Sequence, residues 1–437
     1  MKKKLLALAL SLSLVSSMAL AGCGSDSGNG GNSGNGGAKG GNVQEITWMF
    51  WDDLDASEDM ITKGYKEVVD RFNKDYAGKY HVTPVTTTLE EYYTKLNAQV
   101  EANKTPDVFI VSPGPNLTEY VTPGITADLT DYLKSDGWVD KFNGGMNAFS
   151  QQTYDGKVYA VPLNIAAACV FYNTEMFQDA GITKMPTDWN GLIDACDKLQ
   201  AKGYTPITVS AGTAWCLSMI CGYLCDSEGV DLKAINEGTA HWTDANVTAA
   251  AEKMVTLSKY FQKTAKGDNN DVATANFYNG EAAMLIQGSW AIGQMNGANP
   301  EIEAKCGVFA FPGTNGRVIA KSDSLAMSST TKYPEASIAF MKYFTDDTAQ
   351  KYTAEKGGKI PVTTVKYDEA AAPKQLAYVM DVFKNAKSTF GFYNESLASS
   401  EAGSTFDNAM VDIYLGNKTV KEGLEAIEDY YKKNVWK

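Results

Sequence analysis

Between Ile46 and Val111 the chain alternates between two hydrophobic periods, and that alternation restricts the fold more than any other feature. Ile46 to Trp51 reads as a strand. Ile61, Tyr65, Val68, Val69 and Phe72 then recur at helical spacing. His81 to Thr88 is strand-like, and Leu89, Tyr93, Leu96 and Val100 mark a second amphipathic helix. Asp107 to Val111 is a third strand, stopped by Ser112-Pro113-Gly114-Pro115. Strands alternating with helices of this length predict an α/β fold, a mainly parallel sheet with helices on both faces. In such sheets ligands gather where strands end, here at Trp51-Asp52 and Ser112–Asn116.

The chain's 437 residues suit two domains. Asp155-Gly156 forms a turn before a strand that stops at Pro162, with Leu163 and Asn164 beyond it. Cys169 to Tyr172 is the next strand, ending at Asn173, where Thr174 can cap a helix. This passage reads as a crossing between lobes, after which the pattern restarts. Pro186 to Leu199 is helical, Pro206 to Ser210 a strand, and Gly212 to Leu224 a helix with Trp215 in its first turn. Val247, Met254, Leu257 and Phe261 form a core-facing stripe. Val308 to Phe311 and Leu325 to Met327 read as strands. Pro334 to Phe344 reads as a helix with proline at an allowed first position. From Asp368 onward the chain reads as helical, and no internal repeat is visible.

Phe277 to Gln294, FYNGEAAMLIQGSWAIGQ, carries the densest signal. Asn279-Gly280 is a turn, and Ala282 to Gln287 is long enough for one buried strand. Gly288 ends the strand, and Ser289 can cap a helix that opens with Trp290. Two roles are open to that ring: a core aromatic, or a flat surface presented at the sheet's end.

Composition removes several classes of partner. A net charge of −13 argues against nucleic acid and anionic membrane surfaces. Cleavage of residues 1–22, with Lys2, Lys3 and Lys4, would take it to −16. The two histidines, His81 and His241, lie far apart without a ligand cluster. Asp268 to Asp271 lacks the glycine and terminal glutamate of a calcium loop and reads as a solvated turn. No metal or cofactor is therefore expected. Ser289 lacks the second glycine of a nucleophile elbow, so no catalytic residue is assigned. With 52 acidic residues, a glycosidase pair stays open to a chain of this kind. Cys169, Cys196, Cys216, Cys221, Cys225 and Cys306 read as buried free thiols, since a chain this long needs no disulfide staple.

At the N-terminus three lysines precede an apolar run from Leu5 to Leu20, too short to span a bilayer. The run ends in Leu20-Ala21-Gly22-Cys23, which resembles a bacterial lipobox. That resemblance implies a signal peptide over 1–22 and a lipid on Cys23. Residues 23–44, nearly all glycine, serine and asparagine after the cysteine, would be a flexible tether.

The order of TPDVFIV (105–111), DGKVYAVP (155–162), FYNTEMF (171–177), NGEAAM…GSW (279–290) and KGGKIPV (356–362) resembles a known family. It is that of extracellular solute-binding proteins of the sugar-binding class, receptors of ABC importers related to maltose-binding protein. The resemblance implies a two-lobed clamshell of type II, with lobes 45–163 plus 304–360 and 164–303 plus 361–437. It implies a monomer, lipid-anchored on the extracellular face of the cell membrane, that delivers a carbohydrate to permease subunits. The residue matching Trp290 stacks on a sugar ring in that family. A sugar offers an apolar C–H face and an edge of hydroxyls. Trp51, Trp215 and Trp290 are the platform candidates; Asp52, Asp53, Asn116, Asn164 and Asp323 are the edge candidates. Maltose itself is not implied. Small residues stand at Ala166-Ala167-Ala168 and Ala402-Gly403-Ser404, and Pro113-Gly114-Pro115-Asn116 follows the third strand, where that receptor has an acid or a tryptophan. A secreted carbohydrate-active enzyme, or a receptor for a peptide, polyamine or polyol, is the alternative.

Overall fold

The computed structural model describes residues 43–436; the signal segment 1–22, Cys23 and the tether through residue 42 lie outside the described residues. Thirteen strands follow in order: β1 (Gln44–Phe50), β2 (Tyr80–Thr86), β3 (Val108–Val111), β4 (Thr153–Tyr154), β5 (Lys157–Val158) and β6 (Ala160–Pro162). After them come β7 (Ala166–Asn173), β8 (Thr205–Thr208), β9 (Ala282–Gly288), β10 (Cys306–Phe309), β11 (Arg317–Lys321), β12 (Ser324–Met327) and β13 (Ser388–Phe390). The first sheet runs β2-β1-β3-β12-β6, and the second β13-β11-β7-β9-β8 with β10 also on β7. β4 and β5 form a hairpin whose turn residues Asp155 and Gly156 both have positive φ, as a tight two-residue turn requires.

Both sheets are mixed rather than mainly parallel. β1 is parallel to β2 and β3, but β12 runs antiparallel to β3 and β6. In the second sheet only β8–β9 and β11–β13 are parallel. The cause is the way strands enter. β7 and β12 arrive from the other sheet through a few residues, without the helical crossover that parallel neighbours need.

Those entries also correct one lobe limit. β10 and β11 pair with β7 in the second sheet, so the chain returns to the first sheet at Ser322-Asp323 and not near residue 304. The first crossing lies between β6 and β7, and the third around Ile360, which bridges Ile165. Leu163 donates its N–H to the Asp323 carbonyl at 2.9 Å, so all three segments run side by side at the waist.

Each sheet has its own packing. Around β1, the rings of Trp48, Phe50, Tyr65, Phe72, Phe340 and Phe344 interlock with centroid spacings such as 5.2 Å for Trp48–Phe344. The helix Met60–Asp75 buries the predicted stripe and is capped by Asp59, whose side chain accepts from the Ile61 N–H. On β7 the period of two is visible directly. Ala168 and Val170 face the larger core of the second lobe, while Ala167, Cys169 and Phe171 face the opposite one. The six cysteines among the described residues are buried and free, with Cys169 and Cys306 pushed up to about 12 by burial. Three local readings change. Asn173, not Thr174, caps the helix Thr174–Asp179. The stretch after Asp368 contains β13 and a loop at 391–399 before helices resume at Ser400. Asp268 is buried and accepts from Thr264, Gln262 and Asn276, because Asn269 starts a helix that turns it inward.

Gln350 holds the waist from inside the first lobe. Its fully buried amide donates to the Leu163 and Phe344 carbonyls and accepts from the Val362 N–H, each at 2.9 Å. Gln350→Leu would leave three buried backbone groups unpaired, at about 1–3 kcal/mol each before relaxation. Chemical denaturation should therefore show a loss of roughly 3 kcal/mol or more. A loss under about 1 kcal/mol would mean that the crossings do not depend on this side chain.

Candidate functional site

The second lobe brings three rings together from three distant segments. Trp215 lies in the first turn of the helix Ala214–Ser227, Trp290 follows β9, and Phe392 follows β13. Trp290 lies 5.8 Å from both Trp215 and Phe392 between ring centroids, and Trp215 lies 6.1 Å from Phe392. Trp215 and Trp290 are only partly buried, so each keeps a surface outside the core, while Phe392 is buried behind them. Trp290 can lie there because Gly288 has no side chain: an added Cβ would fall inside the indole ring. Ser289 does not cap the helix that follows. Its hydroxyl is fully buried without a partner among the described residues, and Trp290 itself occupies the capping position of Ala291–Ala298.

A charged cluster adjoins the rings. Lys321, the last residue of β11, places its ammonium 5.3 Å from the centre of the Phe392 ring. It lies 3.3 Å from Asp323 Oδ1 and 3.0 Å from Glu395 Oε1, and donates to Ser112 Oγ at 3.4 Å. Burial alone would lower its pKa, but Asp323 and Glu395 more than offset this and hold it above the ordinary lysine range. Ser112 directly follows β3, so the cluster joins the lobes across the cleft. Below it, Asn164 donates to Tyr65 Oη at 3.1 Å, while its own buried carbonyl oxygen has no partner among the described residues. Lys359 is buried nearby and lowered by that burial, with Asp323 and Asp59 acting in the opposite sense.

The first lobe supplies the facing wall. Trp51 packs edge-on against Tyr92, with centroids 5.2 Å apart. Asp52 is committed locally, accepting from Ser57 and Thr62 hydroxyls at 2.6 Å each. Asp53 is exposed and accepts from the Asp55 and Ala56 N–H groups of its own turn. Asn116, in the first turn of Pro115–Val121, is partly buried with no side-chain bond among the described residues. Two contacts bring the walls together. The carbonyl of Glu395 would lie 2.5 Å from a Cβ at Gly114, and Glu119 accepts from the Ser400 hydroxyl and N–H. Asp271 on the second lobe is pushed up by burial and by Glu90 and Asp52 of the first.

Trp215, Trp290 and Asp323 are thus collected around one corner with Asn164 beneath it, whereas Asp52 and Asp53 serve the fold at their own turns. Sequence reading passed over Phe392, Glu395 and Lys321. The string Phe392-Tyr393-Asn394-Glu395 is an aromatic pair followed by amide and acid, the same kind of signal as Trp51-Asp52-Asp53. Among the described residues no group of histidine, cysteine and carboxylate is arranged to hold a metal.

Comparison with known proteins places this architecture. A family model described as bacterial extracellular solute-binding protein matches residues 58–351. A multiple sugar-binding protein of Streptococcus mutans is 27% identical over 70% of this chain and 73% of its own length. Probable sugar-binding periplasmic proteins of rhizobial species are matched over little more than half their length, 56% and 57%. An uncharacterized ABC transporter extracellular-binding protein of Pyrococcus horikoshii is 23% identical over 99% of this chain and 97% of its own. Among solved structures, a chitin oligosaccharide binding protein superposes with a TM-score of 0.82 at 24% identity, covering 90% of this chain and 99% of that one.

The Gly288 contact makes a direct test. Gly288→Ala should drive the Trp290 ring from its place, altering the near-ultraviolet dichroism and costing about 1–3 kcal/mol of stability. An unchanged aromatic spectrum in the folded variant would show that the ring does not rest on Gly288.

Proposed function

The chain belongs to the family of bacterial extracellular solute-binding proteins, and from that premise we propose that it is a receptor for a sugar or oligosaccharide. In this reading the ligand sits between the lobes and is passed to the permease of an ABC transporter. The observation that carries it is the Trp215–Trp290–Phe392 corner beside Lys321, Asp323 and Glu395. Flat rings suit the apolar face of a sugar, and the charged groups donate to and accept from its hydroxyls. The names of the relatives support a sugar over a peptide or polyamine. The lobes of this reading are residues 45–163 with about 322–363, and the two intervening and following segments. The ligand residues proposed are Trp215, Trp290, Lys321, Asp323 and Glu395 from the second lobe and its crossing, with the buried Phe392 as the support behind the two indoles. Trp51, Asn116 and Asn164 are proposed from the facing wall and floor.

Closure follows from the same layout. Lys321–Ser112 and Glu119–Ser400 exist only when the walls meet, so a ligand that touches both walls favours the closed state. The reading includes a monomer outside the cell, held to the membrane by a lipid on Cys23.

A thermal-shift screen over mono- and oligosaccharides tests the ligand class, since binding to the native state alone raises the midpoint. Trp290→Ala should then weaken the best ligand by about five- to a hundredfold, or roughly 1–3 kcal/mol, in calorimetric titration. Intact affinity with lowered stability would make Trp290 a packing residue only. Labelled oligosaccharide recovered unaltered after long incubation fits a receptor, and shortened product would overturn it.

The anchor is tested separately. Cys23→Ser should move the protein from the membrane to the soluble fraction with unchanged ligand affinity. Retention on membranes after a carbonate wash would remove the lipid from the reading.

A further inference from the structure

The two partners of Trp290 in the aromatic corner ride on elements that do not bond each other directly, and one side chain behind them bonds both. Asp407 lies midway along the helix Ser400–Leu415. One of its carboxylate oxygens accepts from the hydroxyl of Ser218, one turn beyond Trp215 on the same helix. The other accepts from the Asn394 amide at 3.0 Å. Asn394 stands between Phe392, a member of the corner, and Glu395, which holds Lys321. The loop can lie this close because both helices present glycine beneath it. A Cβ at Gly403 would strike the Asn394 carbonyl, and one at Gly222 would lie 3.1 Å from the Tyr393 ring.

We propose that Asp407 is a positioning residue for the binding site: by tying Ser218 to Asn394 it keeps Trp215 and Phe392 assembled against Trp290 before ligand arrives. This deepens the receptor reading and rests on it for its function, though not for its geometry. An assembled corner matters because apparent affinity falls with the fraction of molecules that hold the competent arrangement.

The tie is also pH-sensitive. Burial pushes the Asp407 carboxyl up to about 6, with Glu395 adding to the rise and the Ser218 and Asn394 bonds opposing it. The other titratable groups facing it are the thiols of Cys216 and Cys221 on the Trp215 helix, both raised by burial and neutral at these pH values. No cation pairs with Asp407 among the described residues. As pH falls through about 6 the carboxylate takes a proton, and the two charge-assisted bonds weaken to ordinary ones. Stability moves the other way. Because the native state holds that proton at a pH where the unfolded chain releases it, this group's contribution is fully present below about 3.8 and lost as pH rises through about 6.

The test uses the full chain without ligand. Tryptophan fluorescence and near-ultraviolet dichroism between pH 4.5 and 8 should show a step near pH 6 that disappears in Asp407→Asn and in Trp215→Phe. Ser218→Ala, which removes an acceptor bond that lowers the carboxyl's pKa, should shift the step upward. A step that survives Asp407→Asn, or one that Ser218→Ala leaves in place, would overturn the proposal. If Asp407→Asn does not fold, the Ser218→Ala shift decides alone. With the best sugar from the thermal screen, Asp407→Asn should raise the apparent Kd by about tenfold at pH 7.5, if only a tenth of its molecules keep the corner. A spectroscopic step without any sugar binding would support the positioning role while removing the receptor reading.

Discussion

The waist between the lobes is the constraint on which the rest of the molecule depends. Three segments cross there within hydrogen-bonding distance: Leu163 bonds the Asp323 carbonyl, Ile165 and Ile360 exchange backbone bonds, and Gln350 holds Leu163 and Val362 from behind. Each crossing is only a few residues long, so it fixes the direction in which β7 and β12 enter their sheets. It also sets Asn164, Asp323 and Lys359 at the floor of the cleft. A polar floor is costly to bury, which is why Lys359 is lowered by desolvation and Asp59 raised by it. Rigid contacts through backbone amides and a buried glutamine offset that cost without tying the lobes face to face.

The lobes meet in two ways: across the cleft through polar side chains, and beside the waist through close packing of the helix Ala291–Ala298 against Glu58–Met60 and Gly357. Glu119 meets the N-terminus of the helix Ser400–Leu415, a favourable place for a carboxylate, but Glu119 is exposed and Ser400 only partly buried. Lys321 reaches Ser112 at 3.4 Å, a long bond beside its two short carboxylate contacts. The Glu119–Ser400 contact at the surface contributes little net stability, whereas Lys321 and Ser112 are largely shielded from water. Across the cleft itself the walls meet through few polar contacts, so a ligand that touches both walls can bias the closed state directly.

Much of this was readable from local pattern, because local pattern is what fixes strands and helices. The stripe Ile61–Phe72, the strand at Ala282–Gly288 and the helix Pro334–Phe344 lie where periodicity places them. The return crossing was misplaced by some 18 residues, from near 304 to Ser322, because β10 and β11 are short apolar strands with nothing in their own composition to say which sheet they join. Partner choice is a non-local property, decided by the open edge of β7. Trp215 and Trp290 stood out because large rings at element starts have no core stripe to join. Phe392 and Glu395 did not, since their importance comes from a loop whose path is set by Gly222 and Gly403 far away in sequence. Asp52 and Asp53 bond within their own turns, since acids after a strand end serve helix starts and turns as readily as ligands.

The glycines carry the last step of this logic. Gly288 admits the Trp290 ring, Gly403 and Gly222 admit the Phe392 loop, and Gly114, with φ of 73°, admits the Glu395 carbonyl from the opposite lobe. Each stands where two elements approach more closely than any side chain permits, and each lies at or behind the aromatic corner. Rings of this size have few rotamers, so once the backbone is brought this near their positions are nearly determined. Shape at the corner is therefore set by where side chains are missing as much as by where they are present. The small residues Ala402 and Gly403 fit that view. They vacate the space through which the 391–399 loop passes, and the loop sets a buried aromatic, Phe392, behind the two tryptophans.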